Sequence, residues 1–264
     1  MTTSTDSATI QSLLSGAQAA GTISAATSQA LTGHLGAVVI AGAAGLAMED
    51  IEASDVTLVT VLIDASSSIS SRGLEDSVRE GQNLLVDAFD KAKEKDSVLM
   101  ALWTFNDELR VHHAYVPVDA CTRLDKSSYA GLGSTRLYDT WCDALAANVA
   151  YAQRLRDSGT PCKSVVVVIT DGEDCGSRRT AKDCAKLSRE LLASEQFTLA
   201  FVGVGSDVDF RAVAKKMGVP DGSVAVQANT SPTALRQLFH MVSQSAIRAS
   251  RANVTPGGTG FFGP

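Results

Sequence analysis

The stretch "VTLVTVLIDASSSIS", residues 56–70, decides the fold. It opens with eight β-branched or apolar residues, continues with Asp64, and places four serines among the next six positions. A continuous apolar run of this length is typical of a strand buried on both faces, as in a parallel sheet. The sequence therefore predicts a buried strand at 56–63 whose carboxyl end leads into a cluster of oxygen donors.

Strands and helices alternate from residue 54 onward, which predicts an α/β fold. We expect a doubly wound, mostly parallel, Rossmann-like sheet with helices on both faces. The run "KSVVVVITDG" predicts a second buried strand near the middle of the sheet, and Asn106 with Asp107 predicts a hairpin with one antiparallel edge strand. Further strands are predicted within 97–118 and at 197–205 and 223–228, and helices at 72–96, 137–156, 179–194, 208–217 and 231–250.

Three regions of different composition divide the chain. Residues 1–53 are rich in Ala, Ser, Thr and Gly, and their spacing predicts a helical N-terminal extension that packs on the domain or mediates self-association. Residues 54–250 hold the alternating strands and helices. Residues 251–264 are rich in Gly and Pro and predict a flexible tail, in which the adjacent Phe261 and Phe262 also suit a docking peptide.

The charge distribution argues against nucleic acid as a partner. Residues 1–71 hold six acidic and no basic side chains, which accounts for the net charge of −6, and the rest of the chain holds 23 of each sign. Without a basic stripe there is little to neutralise a phosphate backbone. The best candidate for an export or membrane segment, residues 36–48, lacks a preceding positive region and is too short to span a bilayer. We therefore expect a cytoplasmic protein without a membrane span.

Neither the cysteines nor the histidines are spaced as metal ligands. The five cysteines lack a CxxC pattern, and we expect free, mostly buried thiols. His112 and His113 are neighbours on a predicted strand, so their side chains point to opposite faces and do not suit a shared metal. The candidate chemistry therefore lies with oxygen donors.

Oxygen donors occur where predicted strands end and where one predicted helix begins. They are Asp64, Ser66 and Ser68 in a D-x-S-x-S pattern, Ser134 and Thr135 before the helix at 137, and Thr170, Asp171, Glu173 and Asp174 in "ITDGED". The ligand site of an open α/β sheet lies beyond the carboxyl ends of its strands. Hydroxyls with one or two carboxylates suit a hard cation, so Mg²⁺ is predicted, with Mn²⁺ or Ca²⁺ as alternatives. We expect Glu173 and Asp174 at the rim of the site.

This pattern resembles the metal-ion-dependent adhesion site of the von Willebrand factor type A domain, also called the integrin I domain. The resemblance covers residues 55–250, and its matching positions are Asp64, Ser66, Ser68, Thr135 in "GSTRLYDT" and Asp171 in "TDGED". It implies that the hydroxyls bind the metal directly, that the aspartates commonly act through water, and that an acidic residue of a protein partner completes the coordination. Ser67 departs from the family, in which many members have glycine there, but no ligand is lost.

The resemblance implies a metal-dependent protein-binding module rather than an enzyme. Intracellular bacterial members of the family often act as adaptors beside AAA+ ATPases or in modules with kinases and phosphatases, so these are the expected partner classes. Three other interpretations are open. In the first, Asp64 is the nucleophile of a metal-dependent phosphohydrolase. In the second, the D-x-S-x-S residues bind no metal and do no more than cap the following helix. In the third, the chain is a structural subunit whose metal stabilises the fold.

Overall fold

One six-stranded sheet lies at the centre of the fold. The computed structural model of the chain describes residues 5–251 and 260–263. The strands are β1 Val56–Asp64, β2 Val98–Phe105, β3 Leu109–Pro117, β4 Cys162–Thr170, β5 Phe197–Val204 and β6 Val224–Gln227. Their order in the sheet is β3-β2-β1-β4-β5-β6, with β3 antiparallel to β2 and the other neighbours parallel. The predicted α/β class with an antiparallel edge strand is confirmed.

Helices cover both faces of this sheet. They are α1 Ser7–Ala19, α2 Ala25–Thr32, α3 Ala37–Gly42, α4 Ser67–Ser71, α5 Glu75–Asp90, α6 Leu137–Asp157, α7 Ala181–Ala193, α8 Phe210–Lys216 and α9 Pro232–Arg251. Buried side chains of α1, α2, α3, α6, α7 and α8 form the core on one face, and those of α5 and α9 lie in the core on the other. Within the described ranges, no helix is both long enough and apolar enough to cross a membrane.

Strand β1 shows how the sequence divides its side chains between the two cores. All nine of its residues are buried. Leu58 and Leu62 belong to one core, whereas Val59, Val61 and Ile63 belong to the other. Successive side chains of a strand point to opposite faces, so a continuous apolar run supplies both cores at once.

The predicted helix at 72–96 is shorter in the structure. The chain forms α4 over Ser67–Ser71 and starts α5 only at Glu75. Between them Gly73 has φ +65°, a left-handed conformation that glycine adopts without steric cost. The predicted helix was wrong at this end because its apolar spacing does not reveal the glycine turn.

The N-terminal helices share the core of the sheet. Ile10 and Leu14 on α1 are fully buried in the same cluster as side chains of α6. Glu190 on α7 accepts hydrogen bonds from the Ser24 amide at 2.9 Å and from the Thr27 hydroxyl at 2.8 Å. This segment packs on the domain, as one of the two expectations has it, and self-association of the chain stays a prediction.

The carboxyl-terminal region has two described parts. α9 ends at Arg251, and residues 252–259 lie outside the described residues. At residues 260–263 the chain lies against the domain, with Phe261 only 7% exposed. For these four residues the structure differs from the predicted flexible tail, because the apolar rings of Phe261 and Phe262 pack on the core.

Candidate metal site

The oxygen donors meet at the point where the strand order reverses. From β1 the chain continues to β2 on one side, while β4 lies on the other side of β1. Asp64 is the last residue of β1, and Asp171 directly follows the last residue of β4. Because β1 and β4 are parallel, their carboxyl ends lie side by side and bring the two aspartates to one edge of the sheet.

Asp64 is held in place by three hydrogen bonds. Its Oδ1 accepts from the Ser66 amide at 2.8 Å, and its Oδ2 accepts from the Thr170 hydroxyl at 2.6 Å. The Tyr129 hydroxyl donates to the Asp64 main-chain carbonyl oxygen at 2.5 Å. The residue is 1% exposed, so its carboxylate has a fixed orientation in a buried setting.

A chain of hydroxyl contacts links the D-x-S-x-S loop to the second aspartate. The Ser66 and Ser68 hydroxyl oxygens lie 3.0 Å apart, and the Ser68 hydroxyl donates to Asp171 Oδ1 at 2.7 Å. Asp171 Oδ2 is buried and accepts no hydrogen bond from the described residues. A guanidinium nitrogen of Arg72 lies 3.7 Å from that oxygen. The two serines therefore bridge one strand end to the other, and one carboxylate oxygen remains without a hydrogen-bond donor.

The two carboxylates lie in an environment that disfavours negative charge. Burial raises the pKa of Asp64 to about 6, although the hydrogen bonds from Ser66 and Thr170 act in the opposite direction and nearby Asp171 adds to the rise. Burial also raises the pKa of Asp171, against the lowering effects of Ser68 and Arg72. A cation between these groups would offset both the desolvation and the mutual repulsion.

Thr135 joins the site from the loop before α6. It is 6% exposed, and its carbonyl oxygen accepts a hydrogen bond from the Cys175 amide at 2.7 Å. Its hydroxyl oxygen lies 3.5 Å from the place that a Cβ on Gly172 would occupy, next to Asp171 in the chain. The structure thus brings all five residues of the predicted site, Asp64, Ser66, Ser68, Thr135 and Asp171, to the same edge of the sheet.

Helix capping does not account for these hydroxyls. Ser66 occupies the N-cap position of α4, but its side chain makes no capping hydrogen bond. Arg136, not Thr135, is the N-cap residue of α6. The first turn of α6 is instead satisfied by Asp174, whose Oδ1 accepts from the Tyr138 amide at 3.0 Å. Asp174 was expected as a rim charge and has a structural role here, whereas Glu173 is exposed.

Two neighbours of the site were not found from the sequence. Tyr129 reaches Asp64 from a loop 65 residues further along the chain, and no motif marks it. Arg72 lies beside Asp171 and also pairs with Asp207 at 2.9 Å. Its position four residues after Ser68 could have drawn attention to it, but the contact depends on the turn after α4.

The remaining candidate ligands do not form a competing site. Among residues 5–251 and 260–263, no group of three or more His, Cys, Asp or Glu side chains is placed to hold a metal ion. The site at β1 and β4 instead combines two carboxylates with three hydroxyls. His112 Nε2 lies 2.9 Å from the Thr104 hydroxyl oxygen, and His113 Nδ1 accepts from the Thr122 amide at 3.2 Å, so the two rings have separate partners. All five cysteines are free.

The family pattern of the von Willebrand factor type A domain matches residues 59–241 of the chain. Among solved structures, proximal thread matrix protein 1 from the mussel byssus is 20% identical with a TM-score of 0.53, over 73% of this chain and 46% of that protein. The pilus adhesin SpaC from Lactobacillus rhamnosus GG, in its open conformation, is 13% identical with a TM-score of 0.53, over 74% of this chain and 30% of SpaC. The PilB minor pilin from Streptococcus sanguinis is 11% identical with a TM-score of 0.50, over 75% of this chain and 63% of PilB.

These structural likenesses concern the fold. The chain spans less than two thirds of the length of each of the three solved proteins. Comparison with curated protein sequences found no match.

Proposed function

Because the chain belongs to the von Willebrand factor type A domain family, we propose that it is a protein-binding module whose docking depends on a divalent metal ion. Domains of this family commonly mediate protein–protein interaction. Asp64, Ser66, Ser68, Thr135 and Asp171 would form a metal-ion-dependent adhesion site, and a carboxylate of the partner would complete the coordination. The metal supplies the positive charge to which that carboxylate binds.

The observation that carries this proposal is the buried Oδ2 atom of Asp171. A carboxylate oxygen removed from water without a donor is costly, and native structures rarely keep one without a reason. A guanidinium nitrogen of Arg72 lies 3.7 Å from this oxygen, too far for a hydrogen bond, and Oδ1 of the same carboxylate accepts from Ser68, whose hydroxyl contacts that of Ser66. A cation is the group that suits an acceptor-rich site of this kind.

The donor set indicates which cation. Carboxylate and hydroxyl oxygens without sulfur or imidazole favour hard ions, so Mg²⁺ is proposed, with Mn²⁺ or Ca²⁺ as alternatives. Two carboxylates do no more than balance the charge of a divalent ion. The three hydroxyls are neutral and add no negative charge, so the ion keeps affinity for a further anionic ligand.

The loop beside the site presents an apolar side chain to a partner. Leu132 is 67% exposed, more than the other large apolar side chains of the described residues that are exposed. Its amide donates to the Ala65 carbonyl oxygen at 2.8 Å, and the Gly133 carbonyl oxygen accepts from the Ser67 amide at 3.0 Å. The leucine is therefore held against the D-x-S-x-S loop, where a partner that brings a carboxylate to the metal can also cover it.

Isothermal titration calorimetry with Mg²⁺ and Mn²⁺ tests the metal site. We expect saturable binding to the unaltered chain and its loss in Asp64→Ala, because the variant removes one of the two buried carboxylates that would hold the ion. Ser67→Ala is the matched control, since Ser67 is exposed and its side chain lies outside the proposed ligand set. Equal heats for the unaltered chain and Asp64→Ala, with both shown to be folded by circular dichroism, would refute the proposed site.

The phosphohydrolase alternative is not supported by the geometry of Asp64. Both carboxylate oxygens accept hydrogen bonds from neighbouring groups, and the side chain is 1% exposed. A nucleophile must reach the phosphorus atom, and this carboxylate is buried with both oxygens engaged by neighbouring groups. We propose that the chain is not an enzyme of this class and expect no turnover of p-nitrophenyl phosphate above that of Asp64→Asn.

The identity of the partner and the cytoplasmic location of this chain stay predictions. A cytoplasmic adaptor beside an AAA+ ATPase or a kinase and phosphatase module predicts a bound protein that is released by EDTA. A purely structural metal predicts that chelation lowers the melting temperature without releasing a partner. Pull-downs from the native cell with EDTA, and with EDTA followed by excess Mg²⁺, distinguish these two roles.

A further inference from the structure

The carboxyl-terminal segment Gly260–Gly263 rests in a groove far from the metal site. The groove is formed by the 3₁₀ turn Asp221–Ser223, which precedes β6, and by the last turns of α9. This turn lies at the amino end of β6, whereas the oxygen donors lie at the carboxyl ends of β1 and β4, which run parallel to β6 in the sheet. The groove and the metal site therefore lie at opposite ends of the parallel strands.

The groove holds the segment by its main chain. The Phe262 amide donates to the Gly222 carbonyl oxygen at 3.2 Å, and the Phe261 amide donates to the Ser223 hydroxyl at 3.4 Å. From the other side, Arg248 on α9 donates to the Phe261 carbonyl oxygen at 2.9 Å. Both polar groups of the Phe261 backbone thus have partners on the domain.

The side chains add apolar contact. Phe261 is 7% exposed and belongs to the core cluster that includes Ala246 and Ile247 of α9. Phe262 is partly buried against the same cluster, and the two rings pack edge to face with centroids 4.7 Å apart. The first ring is therefore held by apolar contact in addition to the hydrogen bonds of its main chain.

Close backbone packing restricts the residue before the aromatic pair. A Cβ on Gly260 would lie 2.3 Å from the carbonyl carbon of Gly222, and a Cβ on Gly222 would lie 2.9 Å from the Gly260 Cα. Both neighbours are main-chain atoms, which cannot move aside as a flexible side chain would. The groove therefore accepts glycine at position 260 and excludes larger residues.

We propose that this groove is a docking site specific for the segment Gly-Phe-Phe of this chain, and that the segment is a detachable latch rather than a fixed part of the core. Residue 260 is connected to the end of α9 through positions 252–259. A short connection gives an effective concentration of about millimolar, so a weak contact is enough to keep the groove filled within one chain. Once vacated, the groove would accept the same segment from a second copy.

A peptide with the sequence of residues 258–264 tests this proposal by standing in for the tail of a second copy. The full-length chain with Phe261→Ser and Phe262→Ser loses the apolar contacts of its own segment, so the labelled peptide should displace that segment and bind saturably in a fluorescence anisotropy titration. Peptides with Phe261→Ala or Gly260→Ala should bind at least about tenfold more weakly, because one loses the buried ring and the other collides with Gly222. Absent binding, or equal binding of the three peptides, would overturn the proposal.

The unaltered chain provides a test that does not depend on the folding of the double variant. Hydrogen exchange at the Phe262 amide should be slowed at least about tenfold relative to an exposed amide, because that group donates to Gly222 in the docked state. It should nevertheless exchange much faster than core amides such as those of β4, since the segment detaches without global unfolding. Exchange at the unprotected rate would show that the segment does not dock, and exchange as slow as in β4 would show that it is not a detachable latch.

Discussion

At the scale of single residues, Arg72 is the side chain that most directly affects the charge of the candidate metal site. Its guanidinium lies 3.7 Å from Asp171 Oδ2 and is held by Asp207 at 2.9 Å. The same positive charge that lowers the pKa of Asp171 also repels an incoming cation. Arg72 therefore stabilises the metal-free aspartate and competes with the metal for it.

Arg72→Gln is expected to tighten Mg²⁺ binding. Loss of one nearby, partly exposed positive charge is worth on the order of 1 kcal/mol to the bound ion, which corresponds to about a fivefold lower Kd. Calorimetric titration at low and high salt measures the effect, which should shrink at high salt. Arg236→Gln is the matched control because Arg236 on α9 pairs with Glu80 on α5 and is not part of the candidate metal site. Unchanged or weaker Mg²⁺ binding in Arg72→Gln would show that Arg72 does not compete with the ion.

At the scale of secondary-structure elements, the edge strand β3 contains the two histidines with the clearest response to pH. Burial lowers the pKa of His112 to about 4, with a further contribution from Arg110, and burial also lowers the pKa of His113 to about 4. His113 accepts a hydrogen bond from the Thr122 amide through Nδ1, which requires that nitrogen to be unprotonated. The fold of β3 therefore depends on neutral imidazoles.

The contribution of these two histidines to the free energy of unfolding is expected to fall as the pH is lowered from about 6.5 to about 4. Both folded-state pKa values lie below the ordinary value of 6.5, so the stabilisation is complete above pH 6.5 and is lost as the unfolded state takes up protons first. His113→Asn keeps an acceptor for Thr122 but does not titrate in this range. In that variant the decrease in the free energy of unfolding between pH 6.5 and pH 4 should be about 2 kcal/mol smaller than in the unaltered chain. Urea denaturation across this range measures it, with the exposed His34→Asn as control. Identical pH profiles for the unaltered chain and His113→Asn would contradict the argument.

At the scale of the whole molecule, the N-terminal helices and the sheet form one packed unit. Leu14 on α1 is fully buried in the core that contains side chains of α6 and of the sheet. Glu190 on α7 receives hydrogen bonds from both Ser24 and Thr27 at the start of α2. We therefore expect the N-terminal helices to unfold together with the rest of the domain.

Leu14→Ala tests whether the N-terminal helices belong to the common core of the domain. Truncation of a fully buried leucine leaves a cavity and should lower the free energy of unfolding by about 2–5 kcal/mol in a single urea transition. Gln18→Ala on the same helix is the control, because Gln18 is exposed and should change little. A stability equal to that of the unaltered chain, or a separate early transition for α1, would indicate that the segment is not part of the common core.

Much of the fold could be predicted from local sequence. The apolar runs that became β1 and β4, and the Asn106-Asp107 turn between β2 and β3, each reflect interactions within a few residues, so periodicity and turn chemistry were sufficient. The boundary at Gly73 and the short helix α4 before it were missed. Both depend on one or two residues in weakly patterned sequence, where propensity leaves several conformations close in energy.

The proximity of the D-x-S-x-S residues and Asp171 also followed from the sequence, since parallel strands bring their carboxyl ends to one edge of a sheet. The place of Thr135 beside them was implied by the family resemblance. What only the tertiary structure decided is how the charges and contacts around that edge are arranged. The unpaired oxygen of Asp171, the approach of Arg72 and the hydrogen bond from Tyr129 all join residues that are far apart in the chain or separated by an unpredicted turn. The docking of Phe261 has the same origin. The sequence determined which residues reach the sheet edge because strand period and direction are local properties, whereas the distances between their side chains depend on how the whole chain packs.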